Sequence, residues 1–364
     1  MHSQYDIILV GRGLANLLFA VQYLQRNKKL KLLIIEKQKI IPKRYISTWQ
    51  GPGLIDLKKE FGLKKEKSWK KISVSNDKEY IVRKTAPYEY VSYEYSKNIR
   101  ILLSRVLKYN VDIIYQNVKS ITELQDYIEI ETTKDSFKAK FVMNSMINEN
   151  KKEIDPYMLH QYFVGTEIKP NSSDRIDECQ LMHFTKVRNA IQFNYILPFA
   201  KNRILIETTE FSKKIDFKKL ERINNQLIKK SKINFKEMGV IPMSTKLKFQ
   251  RTKRVIPTGI GGGFARPSSG YLLIRTAMWA KENKDKHLSE ILFSQKKVIN
   301  FLDKIFLRAC ANSSQDAQKI FMALFKAKNI HSVIRFLADS ATIKDLINVI
   351  IISPKKIMIN ALFK

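Results

Sequence analysis

The sequence predicts an α/β protein in three parts: a parallel strand-helix-strand unit at the N-terminus, an inserted antiparallel β-sheet, and a helical C-terminal region. Three observations predict it. Tyr5 to Val10 is an apolar run ended by glycine, after which Leu14, Leu17, Leu18, Val21 and Leu24 recur at helical spacing before a second apolar run to Ile35. Further on, MHFTKV, AIQFNYILPF and NRILIETTEF follow one another closely, as the strands of a meander do. After Gly270 the apolar residues return to helical spacing and keep it to the end of the chain.

The first strand, YDIILV, is largely apolar, the mark of a strand buried on both faces of a parallel sheet. Gly11-Arg12-Gly13 is the turn after it, Leu14 to Gln25 the helix, and Leu30 to Ile35 the second strand, closed by Glu36. This is the Rossmann-like arrangement that holds a dinucleotide. Gly11 permits the tight turn and Gly13 lets the backbone approach a pyrophosphate. The helix start at Leu14, Ala15 and Asn16 offers unpaired N–H groups and a partial positive charge. Glu36, about 20 residues downstream, is placed to accept hydrogen bonds from the adenosine ribose. Asn16 stands where the G-x-G-x-x-G pattern has its third glycine, and a turn made for geometry alone is the competing reading. The motif's place at the start of the chain is associated with FAD rather than NAD.

The middle third alternates strand-like pieces (YIVRK, VDIIY, YIEIET) with one helical stretch near Lys97 to Tyr109. A further helix is expected from about Phe217 to Ser231. The expected divisions are 1–72 for the FAD-binding βαβ segment and 73–154 for the rest of that domain with a small β element. A substrate-binding sheet over 155–250 follows, then a return to the first domain over 251–290, and a helical region over 291–364.

With 364 residues, 44% of them hydrophobic, the chain is long enough for a sizeable core, and its composition argues against disorder. Lys and Arg number 66 against 34 Asp and Glu, a formal charge of +32 that favours anionic surfaces. The lysines are spread throughout, as a biased background composition would also leave them, and no nucleic-acid motif accompanies them, so no nucleic-acid partner is expected. Cys179 and Cys310 form neither a disulfide framework nor a metal site, and a reducing, cytoplasmic location follows. His160, His183 and His331 lack ligand spacing, so no metal is expected. No run reaches roughly 18 apolar residues, so any membrane contact is peripheral. Nothing in the sequence sets an oligomeric state.

The phrase DIILVGRGLANLLFAVQYLQ followed by LKLLIIEK resembles the opening of the bacterial lycopene β-cyclases, where G-x-G-L-A-N follows the first strand. Three more segments match in order. Gln192 to Phe199 with Ile204 to Thr209 is similar to the family's leucine-proline corner and L-I-E-D-T acidic motif. Glu237 to Pro242 is similar to its glycine and proline segment. Gly261 to Tyr271 is similar to the G-x-F-H-P-T-T-G-Y stretch near the flavin ring. The helical tail has the family's layout, so the resemblance spans nearly the whole chain. Departures fall at Ser47-Thr48-Trp49, which lacks a histidine; at Asn144 to Ile147, where the family has D-G-R-G; at Thr208, where a second carboxylate is usual; and at Arg266, where the family has His.

The resemblance implies a flavoprotein-monooxygenase-like fold and a non-redox cyclisation of a linear carotenoid end, begun by a proton. It implies FAD in reduced form, with NADPH or NADH as reductant, either stabilising the cation or delivering the proton. Gly261, Gly263, Pro267 and Gly270 would contact the flavin. Glu207 is the candidate acid, since an apolar cavity would raise its pKa, and a strand position paired with a lysine is the competing reading. Phe193, Tyr195 and Phe199 would line a polyene tunnel with Trp49 near its mouth, or be ordinary core. A polyene lives in the membrane, and the tail, with Ile350 to Ile352, Lys355 and Lys356, is the expected docking element. A FAD-dependent monooxygenase or oxidoreductase acting on another lipophilic substrate is the alternative.

Overall fold

The computed structural model describes residues 4–147, 155–170, 176–187, 189–228, 231–245 and 251–363. The chain opens with β1 (Gln4–Val10), α1 (Leu14–Arg26) and β2 (Leu32–Glu36), the expected parallel unit, with Ile7 beside Leu32 and Val10 beside Ile35. Next come β3 (Tyr45–Gln50), α2 (Leu57–Phe61), β4 (Lys67–Trp69), β5 (Lys71–Ser75), β6 (Tyr80–Lys84) and β7 (Glu89–Glu94). Then α3 (Tyr95–Val106) leads into β8 (Val111–Tyr115), β9 (Val118–Glu123), β10 (Ile128–Thr132) and β11 (Ser136–Asn144). The second half holds β12 (Leu159–Lys169), β13 (Glu178–Thr185), β14 (Ile191–Ala200), β15 (Arg203–Ser212), α4 (Phe217–Ile228), β16 (Lys232–Met243) and β17 (Val255–Pro257). Helices complete it: α5 (Leu273–Asn283), α6 (Lys297–Asn312), α7 (Ser314–Lys326), α8 (Ile330–Leu337), α9 (Ile343–Ile352) and α10 (Lys355–Phe363).

The first sheet runs β8-β2-β1-β11-β10-β9 with β17 beside β11, parallel from β8 to β11 and antiparallel beyond. Every residue of α1 from Leu14 to Leu24 is buried, because the sheet covers one side and α3 and α5 the others. Phe19 and Trp279 meet there at 5.3 Å. A helix apolar on all sides is stable only when enclosed in this way.

The second sheet runs β16-β12-β15-β14-β13-β5-β6 and is antiparallel except where β13 meets β5. A small antiparallel sheet, β3-β7-β4, is the third. The expected division at 73 fails here, since β5 and β6 join the second sheet rather than the first. Ile72 and Val74 bury themselves with Cys179 and Leu181, a contact with a strand so distant in sequence that it leaves no local signature. The boundaries expected at 154 and 250 lie outside the described residues. The helix expected to reach Ser231 is described to Ile228, and 229 and 230 also lie outside.

The C-terminal helices pack on the second sheet. Phe321 of α7 lies 5.6 Å from Phe184 and 6.3 Å from Phe211, and Arg83 of β6 donates to the Ala327 carbonyl at 2.6 Å. Each buried aromatic of this kind contributes about 2–3 kcal/mol, so the helices form a wall over the sheet.

Candidate active site

Between the start of α1, one face of the second sheet and the C-terminal helices lies a cavity of about 680 Å³ walled mainly by apolar side chains. That is the size of a small-molecule site.

One end is the turn before α1 with the first residues of that helix, Gly13 to Asn16. Gly13 caps α1 in extended conformation with no side-chain bond, and a Cβ there would have no neighbour within 4 Å. The first N–H groups of the helix therefore face open space, as a diphosphate site requires. Gly11 has φ +92°, and a Cβ on it would overlap the Ser145 hydroxyl, which itself donates to the Val10 carbonyl at 2.7 Å. Asn16 explains its own presence. Its amide donates to the carbonyls of Val10 (3.0 Å) and Gly11 (2.8 Å), and its oxygen accepts from Thr258 at 2.7 Å, so it braces the turn from inside. Glu36 accepts from the Arg12 N–H at 2.9 Å and stands outside the cavity lining beside the turn. Each carboxylate oxygen has two lone pairs, which leaves capacity for ribose hydroxyls. These residues fit a dinucleotide.

The loop from 259 to 270 closes this end. Gly259, Ser268, Ser269 and Gly270 line the cavity, whereas Gly261, Gly263 and Pro267 do not. Those three shape the loop instead. A Cβ on Gly261 would overlap the Met146 carbonyl, and Gly263 turns with φ +73°.

The other end is built by strand register. Tyr195, Glu207, Gly165 and Glu237 stand side by side on β14, β15, β12 and β16. Paired residues of an antiparallel sheet share a face, so three side chains enter the cavity around a glycine that has none. Glu207 accepts from the Thr209 hydroxyl at 2.7 Å, and no lysine pairs with it among the described residues. Its residual exposure is to the cavity, with protein on all sides, and that burial pushes its carboxyl up to about 7. Glu237 accepts from the Tyr45 N–H at 3.2 Å; burial, then the neighbouring Glu207, push it up to about 8. Thr208, where a second carboxylate is usual, points to the opposite face and sits 3.3 Å from the Asn224 amide. The other carboxyls of the cavity lining are Glu237 and Asp303, the latter paired with Arg266.

Phe193 and Tyr195 line the cavity as expected. The Tyr195 hydroxyl donates to Tyr90 at 2.9 Å, and Tyr271 donates to the same oxygen at 3.5 Å. Burial raises all three phenols, so they stay protonated. Two expected wall residues are displaced. Phe199 is covered by Tyr45 at 4.5 Å and packs towards Trp69, while Trp49 is fully buried behind Tyr90 at 4.9 Å. Both belong to the core beneath the cavity, because β3 and β7 lie across the outer part of the sheet. Arg266 also turns away: its Nε and Nη2 bind Asp303 at 3.1 and 3.0 Å and its plane lies 4.1 Å over Phe336, fastening the loop to α6 and α8. Among the described residues no cluster could hold a metal ion.

The family described as lycopene cyclase protein matches residues 6–363, and the chain belongs to that family. No curated protein matches the sequence. In structure it is similar to a geranylgeranyl bacteriochlorophyll reductase-like protein from Thermoplasma acidophilum, at 11% identity, 98% of each chain and a TM-score of 0.64. It is also similar to p-nitrophenol 4-monooxygenase from Pseudomonas putida, at 14% identity, 100% of this chain, 98% of that one and a TM-score of 0.58. A halogenase PltM variant in complex with FAD follows, at 12% identity, 89% of this chain, 77% of that one and a TM-score of 0.56. At such identities the likeness is one of fold, the α/β flavoprotein fold that the N-terminal motif predicts.

Proposed function

We propose that this member of the lycopene cyclase family forms β-ionone rings at the ends of a linear carotenoid by proton-initiated cyclisation without net redox, with Glu207 as the acid. The observation that carries this is a buried carboxyl, raised to about 7, that faces an apolar cavity and accepts from the Thr209 hydroxyl, with no basic side chain paired to it among the described residues. Near neutral pH such a group is about half protonated and able to give its proton to an alkene. The terminal alkene then becomes a tertiary cation, the neighbouring double bond attacks it, and loss of a proton leaves the ring. Phe193 and Tyr195 offer aromatic faces to the cation. Phe306 and Phe321 help close the cavity against water, which would otherwise capture the cation.

Gly13, Leu14, Ala15 and Asn16 would hold the diphosphate of FAD, with Glu36 at the ribose and the loop of Ser268 to Gly270 completing the cofactor site. Reduced FAD, maintained by NADPH or NADH, supplies electron density that stabilises the cation when bound.

A polyene reaches the site from a bilayer, and peripheral docking at the cytoplasmic face through α9 and α10 suits that need. Ile343 (79% exposed), Ile351 (61%) and Phe363 (83%) leave apolar surface in water beside the exposed Lys355 and Lys356. The cavity lining includes Ile350 and Met358 of the same two helices. No single helix among the described residues is long and apolar enough to cross a membrane, and α9 and α10 meet at 101°.

The test is expression in bacteria that accumulate lycopene, with chromatography of the pigments. A β-ring product made by the wild type and lost in Glu207→Gln, with flavin still bound, is expected. A hydroxylated or hydrogenated lipid without rings would replace this reading by a flavin oxidoreductase acting on a lipophilic substrate.

A further inference from the structure

We infer that Glu237 is a second catalytic carboxylate, the base that takes the proton lost by the closing ring after Glu207 has given one. This rests on the cyclisation reading above and divides its two proton transfers between two strands. Glu207 and Glu237 flank Gly165, their Cα atoms two strand spacings apart, about 9–10 Å. The glycine makes the gap. A Cβ on it would stand 3.0 Å from Glu237 Cγ and 3.4 Å from its Oε1. One oxygen of Glu237 is held by the Tyr45 N–H, and Oε1, also buried, has no hydrogen-bond partner among the described residues. An unpartnered buried carboxylate oxygen is costly unless something visits it, and its free lone pair suits a proton acceptor.

Two carboxyls facing one apolar space do not both ionise readily, and Glu237, raised to about 8, holds its proton at least as tightly as Glu207, raised to about 7, so the reactive form is the singly protonated pair with the proton on Glu207 and Glu237 ionised. The balance closes. The Glu207 carboxyl protonates the alkene carbon and becomes a carboxylate, and the ring C–C bond forms. A C–H bond next to the cation breaks, its electron pair becomes the ring double bond, and the proton passes to Glu237. Nothing is oxidised or reduced, and return of the proton to Glu207 resets the pair. The position of the acceptor then selects which C–H bond breaks, and so which double-bond isomer leaves the site.

The experiment compares full-length, flavin-loaded wild type, Glu207→Gln, Glu237→Gln and Glu237→Asp on lycopene in phosphatidylcholine–phosphatidylglycerol vesicles under reducing conditions. Ring isomers are resolved by chromatography. Glu207→Gln should close no ring. Glu237→Gln should form the wild-type ring alkene about 100-fold more slowly and shift the product to another double-bond isomer or to a water-captured alcohol, with an unchanged flavin spectrum. Glu237→Asp should recover part of the wild-type isomer, and it decides by the same criterion if the Gln variant does not fold. An isomer composition equal to wild type would overturn the assignment and leave the cyclisation reading standing. Complete loss of ring closure in both Glu237 variants would overturn it too, since both glutamates would then serve one step. A wild type that makes no ring overturns the cyclisation reading itself.

Discussion

Glu207→Gln should make the protein more stable as it makes it inactive, and the gain should depend on pH. The fold raises this carboxyl from its ordinary value of 4.5 to about 7, and at 1.36 kcal/mol for each tenfold change in proton affinity the difference is about 3 kcal/mol. The sign follows from proton uptake. Below about pH 4.5 the group is protonated in both the folded and unfolded chain and costs little. As pH rises from 4.5 to 7 the unfolded chain ionises while the folded one holds its proton, so the native state loses stability until pH passes about 7. Glutamine never ionises, so the variant escapes this loss. The stability difference between variant and wild type should therefore grow by about 3 kcal/mol between pH 4.5 and pH 8. Removing the neighbouring charge also lowers Glu237, which adds in the same direction. Urea unfolding at a series of pH values, with flavin in fixed excess, measures it. A difference between the two proteins that stays constant across that range would refute the claim that burial holds Glu207 protonated.

Three other outcomes follow from separate parts of the structure. Gly13→Val should fold normally, because the extended backbone and the empty space around Gly13 tolerate a side chain, yet it should lose FAD in a flavin titration. Asp303→Ala removes the bidentate partner of the buried Arg266 guanidinium, leaving it Asp339 at 3.8 Å, and should cost about 3 kcal/mol in urea unfolding, whereas replacing both Arg266 and Asp303 by apolar residues should recover most of it. Lys355→Glu with Lys356→Glu should weaken sedimentation with anionic vesicles by roughly 2 kcal/mol or more, at about 1 kcal/mol per lysine, and leave binding to neutral vesicles unchanged.

Much of the site could be read along the chain. The turn from Gly11 to Gly13, the helix from Leu14 and the strand closed by Glu36 are local features, and the structure has them where spacing puts them. Glu207 was legible as a carboxyl on an apolar strand, though which face it took was not. Glu237 was harder to see. It lies in the segment Glu237 to Pro242, which resembles the family, but only its register with Gly165 turns it towards Glu207. The alternation Glu237, Gly239, Ile241 is the one local signal that all three share a face, and all three line the cavity. Trp49 and Phe199 illustrate the reverse. Aromatic residues on strands suit a tunnel wall as well as a core, and here Tyr90 and Tyr45 stand in front of them.

By itself the sequence determined the turn from Gly11 to Gly13, the order of strands and helices, and the carboxyl on β15, because turn chemistry and apolar periodicity act between residues a few positions apart. Only the tertiary structure decided that β5 and β6 join the second sheet, that Arg266 ties the loop to α6 rather than facing the cavity, and that a second glutamate stands across Gly165 from the first. Those outcomes depend on pairing and burial between segments distant in sequence, where the gain comes from surface removed from water in three dimensions and leaves no repeat in the chain to read.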